Sequence, residues 1–375
     1  MKKIAIFSGY YLPHLGGVER YTFNLANKLK QMGYEVIIVS LRYDINLKEI
    51  EETEYAKIYR LPTFKLFVNR YPIVNNNKRC KELLEMVREE NVDSIILQTR
   101  FWTSSYLGSK FAAKNNIPVC LIEHGSTHFT VNNKVLDFFG EIYEHQLTNA
   151  IKKNVKDFYG VSKKCTQWLK HFKIEANGVF YNSINVDEFK LYEDKISKNN
   201  DKISITYVGR IIKEKGVLKL ISIFNKLSSK YNIELNIAGD GPILNQIKEE
   251  NKDNQSIHIL GKLTHEEVMD LLAKTDIFVN PSYFPEGLPT SILEAGLMKC
   301  AVVATPMGGT AEILDSDNIG LICGFEEDEI EEKIVKLLDS KEEREKLGEN
   351  IHNRVIDEFS WDATAKKIAN TINYK

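Results

Sequence analysis

The stretch PSYFPEGLPTSILEAG (281–296) ends an apolar run, crosses a loop rich in Pro and Gly, and enters a helical pattern. The residues before it, DIFVN (276–280), read as a buried strand, so strand, loop and helix follow in the order of a parallel α/β unit. Pro289 suits the first helical position, where its missing N–H costs nothing. The helix is expected from Thr290 to about Lys299. Backbone N–H groups near 288–291 then carry the positive end of a helix dipole, a ready anion site. Glu286 lies in the loop and Glu294 inside the helix. Carboxylates placed on an anion would repel it. Placed on either side of it, they can accept hydrogen bonds from hydroxyl groups. A favourable dipole contact plus a surface acid explains the same spacing equally well.

The alternation extends along the whole chain. KIAIFSG (3–9), EVIIVS (35–40), DSIILQ (93–98), PVCLIEH (118–124) and DFYGVS (157–162) read as strands. GVERYTFNLANKLKQMG (17–33) places Val18, Tyr21, Leu25 and Leu29 on one helical face and stops at Gly33. The pattern restarts with ISITYVGR (203–210), a helix through LKLISIFNKLSSKY (218–231), and strands at 234–241, 257–261, 276–282 and 301–306. The polar stretch 182–201 lacks periodicity and is taken as the linker. The expected architecture is α/β, with two Rossmann-like doubly wound parallel-sheet domains, 1–182 and 183–359. The C-terminal helix 360–375 is expected to return to the first domain. Ligands of such pairs bind beyond the carboxyl ends of the strands, in a central cleft that the two domains are expected to face.

The 375 residues are too many for one ordinary core, and 43% hydrophobic with 27% charged residues is usual for a soluble globular chain. A formal net charge of −2 gives no global attraction to nucleic acid. Five cysteines, at 80, 120, 165, 300 and 323, form no CxxC pair and no metal-ligand spacing, so they read as reduced, mostly buried thiols of a cytoplasmic protein. The run Ile4–Phe7 is too short for a signal peptide, and no run reaches the ~18 apolar residues of a spanning helix.

Other candidate residues follow the strands. Gly16 and Gly17, in PHLGGVER (13–20), can cradle a phosphate or hydroxyl-rich ligand, or can simply turn the chain into a helix. His124, in EHGSTHF (123–129), stands at a strand end beside Gly125. Gly209, Arg210 and Lys215 lie in GRIIKEKG (209–216), where a guanidinium fork and an ammonium can clamp a diphosphate, or can form a solvated charged loop. Neither Gly-rich segment is a G-x-G-x-x-G, which argues against a nicotinamide dinucleotide.

Taken together, GGVERYTFNLA, EHG, GVSKK, YNSINVDEF, YVGRIIKEKG, IAGDGP, LGKLTHEEV and EGLPTSILEAG occur in an order that resembles retaining glycosyltransferases of the GT-B fold. The similarity is greatest to the large group 1 family 4, whose Glu-x7-Glu signature FPEGLPTSILEAG is like. It covers nearly the whole chain, most strongly 203–314 and more loosely 41–115. The resemblance implies that Arg210 and Lys215 bind a donor diphosphate with help from backbone at Gly287–Thr290. It implies that Glu294 takes the ribose hydroxyls and Glu286 the transferred sugar, with His124 facing the sugar's reacting side. Gly16 and Gly17 would close over phosphate and acceptor, and Lys262 or Leu263 would meet the base. Catalytic roles would fall to His124, Arg210, Lys215 and Glu286, with a nucleotide sugar as substrate and no cofactor or metal. KCA (299–301) replaces the family's Gly-x-Pro, and NIG (318–320) its Asn-Gly. DSD (315–317) reads as a solvated turn rather than a metal motif.

The implied reaction moves a hexosyl group, from a UDP-sugar first and a GDP-sugar next, to a glycan or lipid-linked acceptor in surface polysaccharide synthesis such as lipopolysaccharide or capsule. Two alternatives share the fold: a nucleotide-sugar epimerase, and a nucleotide-sugar-binding protein without turnover. Between Tyr55 and Lys81 there are seven cations and no acid, interleaved with aromatics, and 152–173 carries seven Lys against Asp157. These are either solvated faces or surfaces for an anionic membrane, which would place a cytoplasmic protein peripherally on the inner face of the plasma membrane.

Overall fold

A computed structural model of the chain describes residues 2–14, 16–64, 72–130, 133–197, 202–284 and 287–373. It divides into two compact units, Met1–Asn182 with Trp361–Lys375, and Ser183–Ser360.

In the first unit the elements run β1 (Lys3–Phe7), α1 (Gly17–Gln31), β2 (Glu35–Leu41), β3 (Ile50–Glu52), β4 (Lys57–Leu61), β5 (Thr63–Phe64), β6 (Ile73–Val74), α2 (Lys78–Glu89), β7 (Ser94–Gln98), α3 (Thr103–Asn115), β8 (Val119–Glu123), α4 (Lys134–Ile151), β9 (Asp157–Gly160), α5 (Lys163–Leu169) and β10 (Gly178–Val179). Among the described residues, the main sheet has the order β10-β9-β8-β7-β1-β2-β4-β3, parallel except for the edge strand β3, which is antiparallel to β4. Successive side chains alternate faces. Ile4, Ile6, Ile38, Ile96 and Ile122 therefore point to one core, shared with Tyr21 and Leu25 of α1 and Trp361, Ala365 and Ile368 of the C-terminal helix Trp361–Asn373. Ala5, Phe7, Ile37, Val39, Ile95, Leu97 and Leu121 point to the other, shared with Leu83 and Val87 of α2 and Phe111 of α3. Burial on both faces is why these strands read as continuous apolar runs.

The second unit runs β11 (Ile203–Val208), α6 (Val217–Leu227), β12 (Ile233–Ala238), α7 (Leu244–Glu250), β13 (Ile257–Gly261), α8 (His265–Leu272), β14 (Ile277–Asn280), α9 (Thr290–Leu297), β15 (Ala301–Ala304), α10 (Thr310–Ile313), β16 (Leu321–Ile322), α11 (Glu327–Asp339) and α12 (Lys341–Glu358). Its described strands form a parallel sheet in the order β13-β12-β11-β14-β15-β16. Strand order reverses between β11 and β14, the place where open α/β sheets leave room for a ligand beyond the strand ends.

Several expectations change in detail. Pro289 is the N-cap of α9, with φ −74° and ψ 103°, and not its first helical residue; the helix closes at Leu297, before Lys299. Lys299 instead adopts φ +60°, and its carbonyl packs tightly against Gly348 of α12. The stretch taken as a linker carries 3-10 turns at Val186–Leu191 and Glu193–Lys195. All five cysteines are buried free thiols. Asp315 to Asp317 form an exposed turn, with Asp315 2.9 Å from the Arg354 guanidinium.

Candidate functional site

The loops after β11 and β14 hold the second unit's polar cluster. Gly216, at φ +76°, ends the 3-10 turn Lys213–Lys215 and caps α6, and a Cβ there would sit 2.2 Å from the Pro281 carbonyl oxygen. The Tyr283 N–H donates to the Glu214 carbonyl at 2.9 Å. These contacts lock the two loops together. As a result the Arg210 guanidinium carbon stands 4.8 Å from the Phe284 ring centre, and Lys215 Nζ stands 5.6 Å from the same centre. One aromatic ring thus gathers both cations that the sequence singled out. Arg210 is exposed and Lys215 half-buried. Gly209 is held by its N–H to the Ala238 carbonyl at 3.0 Å, and Tyr207 Oη donates to the Arg210 carbonyl at 2.8 Å.

Phe284 leads toward α9. Pro285 and Glu286 lie outside the described residues, so Glu286 and its pairing with Glu294 have no described geometry. Beyond them the Gly287 carbonyl accepts from the Gly309 N–H at 2.8 Å, and the Leu288 side chain packs on Gly309. Gly287 and Thr290 are exposed, Pro289 buried. Eight residues of helix follow, and none of the first turn is acidic, so the dipole's positive end is left uncompensated by its own side chains. Glu294, one turn in, is half-buried, and its Oε1 lies 3.8 Å from Nδ1 of His265 at the start of α8. The sequence reading passed over both His265 and Phe284; both lie inside quoted motifs, and a residue type alone does not announce a partner. Lys262 is exposed and Leu263 half-buried, just after Gly261 turns at φ +72°.

The first unit carries the remaining candidates. His124 follows β8, with Nε2 2.6 Å from Gln98 Oε1 and its ring edge-on to Tyr21 at 4.8 Å. Tyr21 in turn packs on Trp361 at 4.9 Å. Burial pushes the His124 pKa down to about 3, so a neutral imidazole faces any partner at physiological pH. Beside it, the fully buried Glu123 accepts from the His124 and Gly125 N–H groups at 3.1 and 2.8 Å and from the Arg100 N–H at 3.2 Å. Burial raises its pKa, an effect that Arg100 opposes. Arg100, also buried, donates from Nη2 to Glu144 at 2.9 Å. Sequence reading missed this chain because its members are spread over the turn after β7, β8 and α4.

Gly16 caps α1 and Gly17 opens it. The buried Glu19 turns its carboxylate back onto Gly16, so that a Cβ there would meet Oε2. Glu19 is an acid in the first turn of α1, where it favours the positive end of the helix dipole.

The cationic stretch 55–81 has acids supplied from elsewhere. Lys57 pairs with Glu90 at 2.6 Å, Arg60 with Glu51 at 2.7 Å, and Arg79 with Glu49 at 3.0 Å. Lys65 and Arg70 lie outside the described residues. In 152–173, Lys152 donates to the Phe172 carbonyl at 2.7 Å, while Lys153, Lys156 and Lys173 are exposed. Just before that cluster, α4 shows solvent Val135, Leu136, Phe138, Phe139 and Ile142, the two Phe at 59% and 61% exposure. None of the described helices is long and apolar enough to cross a membrane.

Comparison with known proteins adds to this geometry. Residues 15–188 match the model of glycosyltransferase family 4, and residues 188–354 that of the glycosyl transferases group 1. An uncharacterised glycosyltransferase of Methanocaldococcus jannaschii is 28% identical over 97% of this chain and 96% of its own. A subunit of the Saccharomyces cerevisiae phosphatidylinositol N-acetylglucosaminyltransferase is 26% identical over 84% of this chain and 70% of its own. Among solved structures, Anabaena HepE in complex with UDP superposes with a TM-score of 0.68 over the full length of both chains, at 15% identity. The chain therefore belongs to the group 1 glycosyltransferases of the GT-B fold.

Proposed function

We propose that this glycosyltransferase takes its sugar from a nucleoside diphosphate sugar, a UDP-sugar first, and passes it with retained anomeric configuration to a lipid-linked or glycan acceptor. One observation carries the donor assignment: Arg210 and Lys215 share the Phe284 ring, in the loop that leads to α9. A diphosphate seated there meets a guanidinium fork, an ammonium and a helix dipole, so its leaving charge is stabilised without a metal. Glu294 then accepts from ribose hydroxyls, and Glu286 from the transferred sugar. In a front-face transfer the bond from the anomeric carbon to the phosphate oxygen breaks. The acceptor oxygen bonds to that carbon on the same side, and its proton passes to the departing phosphate oxygen. The protein supplies positioning and charge, with no enzymic nucleophile. His124, neutral, contributes a hydrogen bond to the sugar.

UDP in the HepE complex supports the choice of base, and the yeast relative's name supports a lipid acceptor over the surface polysaccharide expected from the sequence. The exposed apolar face of α4, followed by Lys153 and Lys156, suits an anionic membrane carrying that lipid. A thermal-shift series with UDP, GDP and ADP, followed by a UDP-release assay with UDP-glucose and UDP-N-acetylglucosamine, tests the donor. UDP is expected to raise the melting temperature in the wild type and not in Arg210→Ala. Equal or absent responses to all three nucleotides would remove the assignment.

A further inference from the structure

Three histidines from separate stretches of the first unit meet at one point. His128 lies in the loop after β8, His145 in α4, and His171 in the 3-10 turn Lys170–Phe172 after α5. His171 Nε2 is 3.2 Å from His128 Nε2 and 3.2 Å from His145 Nε2. One ring nitrogen from each residue lies within 4.8 Å of the other two.

Hydrogen bonds alone satisfy this arrangement poorly. An imidazole nitrogen has one in-plane site, either an N–H or a lone pair. His171 Nε2 can therefore complete one of its two contacts, and the other sets like polarity against like. A metal ion takes a lone pair from each ring at once. Two nitrogens bound at about 2.0–2.1 Å with a tetrahedral angle stand about 3.3 Å apart, close to both observed separations.

The surroundings hold the rings in place. Glu144, 2% exposed, has Oε2 3.2 Å from His128 Nδ1, and its other oxygen accepts the Phe129 N–H at 2.8 Å. A carboxylate on the far nitrogen of a histidine fixes the tautomer whose Nε2 lone pair points away from it. Trp168 stacks on His171 at 4.8 Å with planes 5° apart, and Phe172 packs on His145 at 4.7 Å. The charge of Arg100 beside the cluster is offset by Glu144 and Glu123, which lie 2.9 and 3.7 Å from its nitrogens. His171 is exposed and the other two are half-buried, so an ion has a path in and a free coordination position facing solvent.

We propose that His128, His145 and His171 bind one divalent ion of the zinc class through their ring nitrogens, with the fourth position open to water. The ion ties the loop after β8 to α4 and to the turn after α5. Through Glu144, Arg100 and Glu123, that same loop is linked to the backbone of His124. The metal is thus a clamp on the first unit.

The test uses the full chain without a histidine tag, stripped with chelator and titrated with Zn2+ and Co2+ near about pH 7.5, where imidazole is neutral. Calorimetry is expected to give one equivalent of Zn2+ with a dissociation constant below about 10 μM. Co2+ is expected to give the visible bands of low coordination number and to quench Trp168. His171→Ala and His145→Gln are each expected to weaken binding roughly tenfold or more, and to abolish the rise in melting temperature that Zn2+ gives the wild type. The exposed His171 makes the first variant safe to fold, and circular dichroism of both variants without metal checks this. Absence of saturable binding below about 100 μM, or unchanged affinity in both variants, would overturn the proposal and mark the cluster as stacked imidazoles only.

Discussion

His265 Nδ1 lies 3.8 Å from Oε1 of Glu294, so the acid assigned to ribose hydroxyls is already steered by an imidazole at the start of the neighbouring helix α8. The two helices are in contact. His265 therefore acts on the donor through Glu294. Glu294→Ala is expected to weaken donor affinity by ~1.5–3 kcal/mol, the usual worth of a charged hydrogen bond. His265→Ala is expected to cost less, and the double variant less than the sum, because both changes remove one arrangement. Calorimetric titration with the nucleotide sugar measures all three, and strict additivity would place His265 outside the site.

Arg210 and Lys215 sit over one ring, which separates their roles. The guanidinium can bond two phosphate oxygens at once, and the ammonium supplies a point charge. Arg210→Ala is expected to lower kcat/KM by about a hundredfold or more, and Arg210→Lys to recover only part of it. Phe284→Leu keeps both charges and removes the ring, and is expected to cost ~0.5–2 kcal/mol. Steady-state kinetics decide the order, and a Phe284→Leu variant worse than Arg210→Ala would show that the ring itself holds substrate.

The doubly wound plan was readable from sequence because both faces of each sheet are covered, which makes strands such as Glu35–Leu41 and Val119–Glu123 nearly unbroken apolar runs. The same logic hid β4. Its Lys57 and Arg60 looked like free cations, whereas Glu90, Glu51 and the packing of Ile58 and Leu61 make it an interior strand of the sheet. Arg210, Lys215 and Glu294 were legible because they occupy loops and helix starts just after strands. His265, Gln98 and the three clustered histidines were not, since their partners are supplied by elements up to dozens of residues away. Local sequence carries the periodicity of an element but not the identity of what stands opposite it.

His124 sets a pH dependence with a definite sign. Its pKa is about 3 in the folded chain, against about 6.5 when unfolded. Between those values the unfolded chain binds the proton that the native chain does not, so this residue's contribution is complete above about pH 6.5 and is lost as pH falls. His124→Gln is expected to flatten the fall in urea midpoint between about pH 7 and 5 relative to the wild type. In the same range the wild-type pH–rate profile should show no limb that His124→Gln removes. An equal midpoint slope in both proteins would mean that the imidazole titrates normally.

The face of α4 predicts a partner. Phe138 and Phe139 stand more than half exposed on a helix followed by exposed Lys153 and Lys156. Vesicles rich in anionic lipid are expected to carry the protein in flotation at low salt. Phe138→Ser with Phe139→Ser should release it while UDP binding persists. Each surface cation is worth ~1 kcal/mol near such a membrane, so added salt should weaken binding in the wild type. Flotation that survives both serine changes would move the contact away from α4.

Gly239 links fold stability to donor binding. It holds φ +144°, and a Cβ there would fall 1.8 Å from the Gly209 carbonyl oxygen, immediately before Arg210. Its own N–H donates to the Gly261 carbonyl at 2.8 Å, so the backbone cannot rotate away without breaking the β12 to β13 contact. Gly239→Ala must either strain this position or push the Gly209–Arg210 loop outward. Holding a non-glycine residue at such a φ costs ~1–3 kcal/mol, which for a unit of this size lowers the melting temperature by roughly 2–4 °C per kcal/mol. If the loop yields, affinity for UDP falls as well, because the guanidinium moves with it. Calorimetry of Gly239→Ala with and without UDP reads both effects. A variant that melts and binds like the wild type would show that this close approach does not set the position of Arg210.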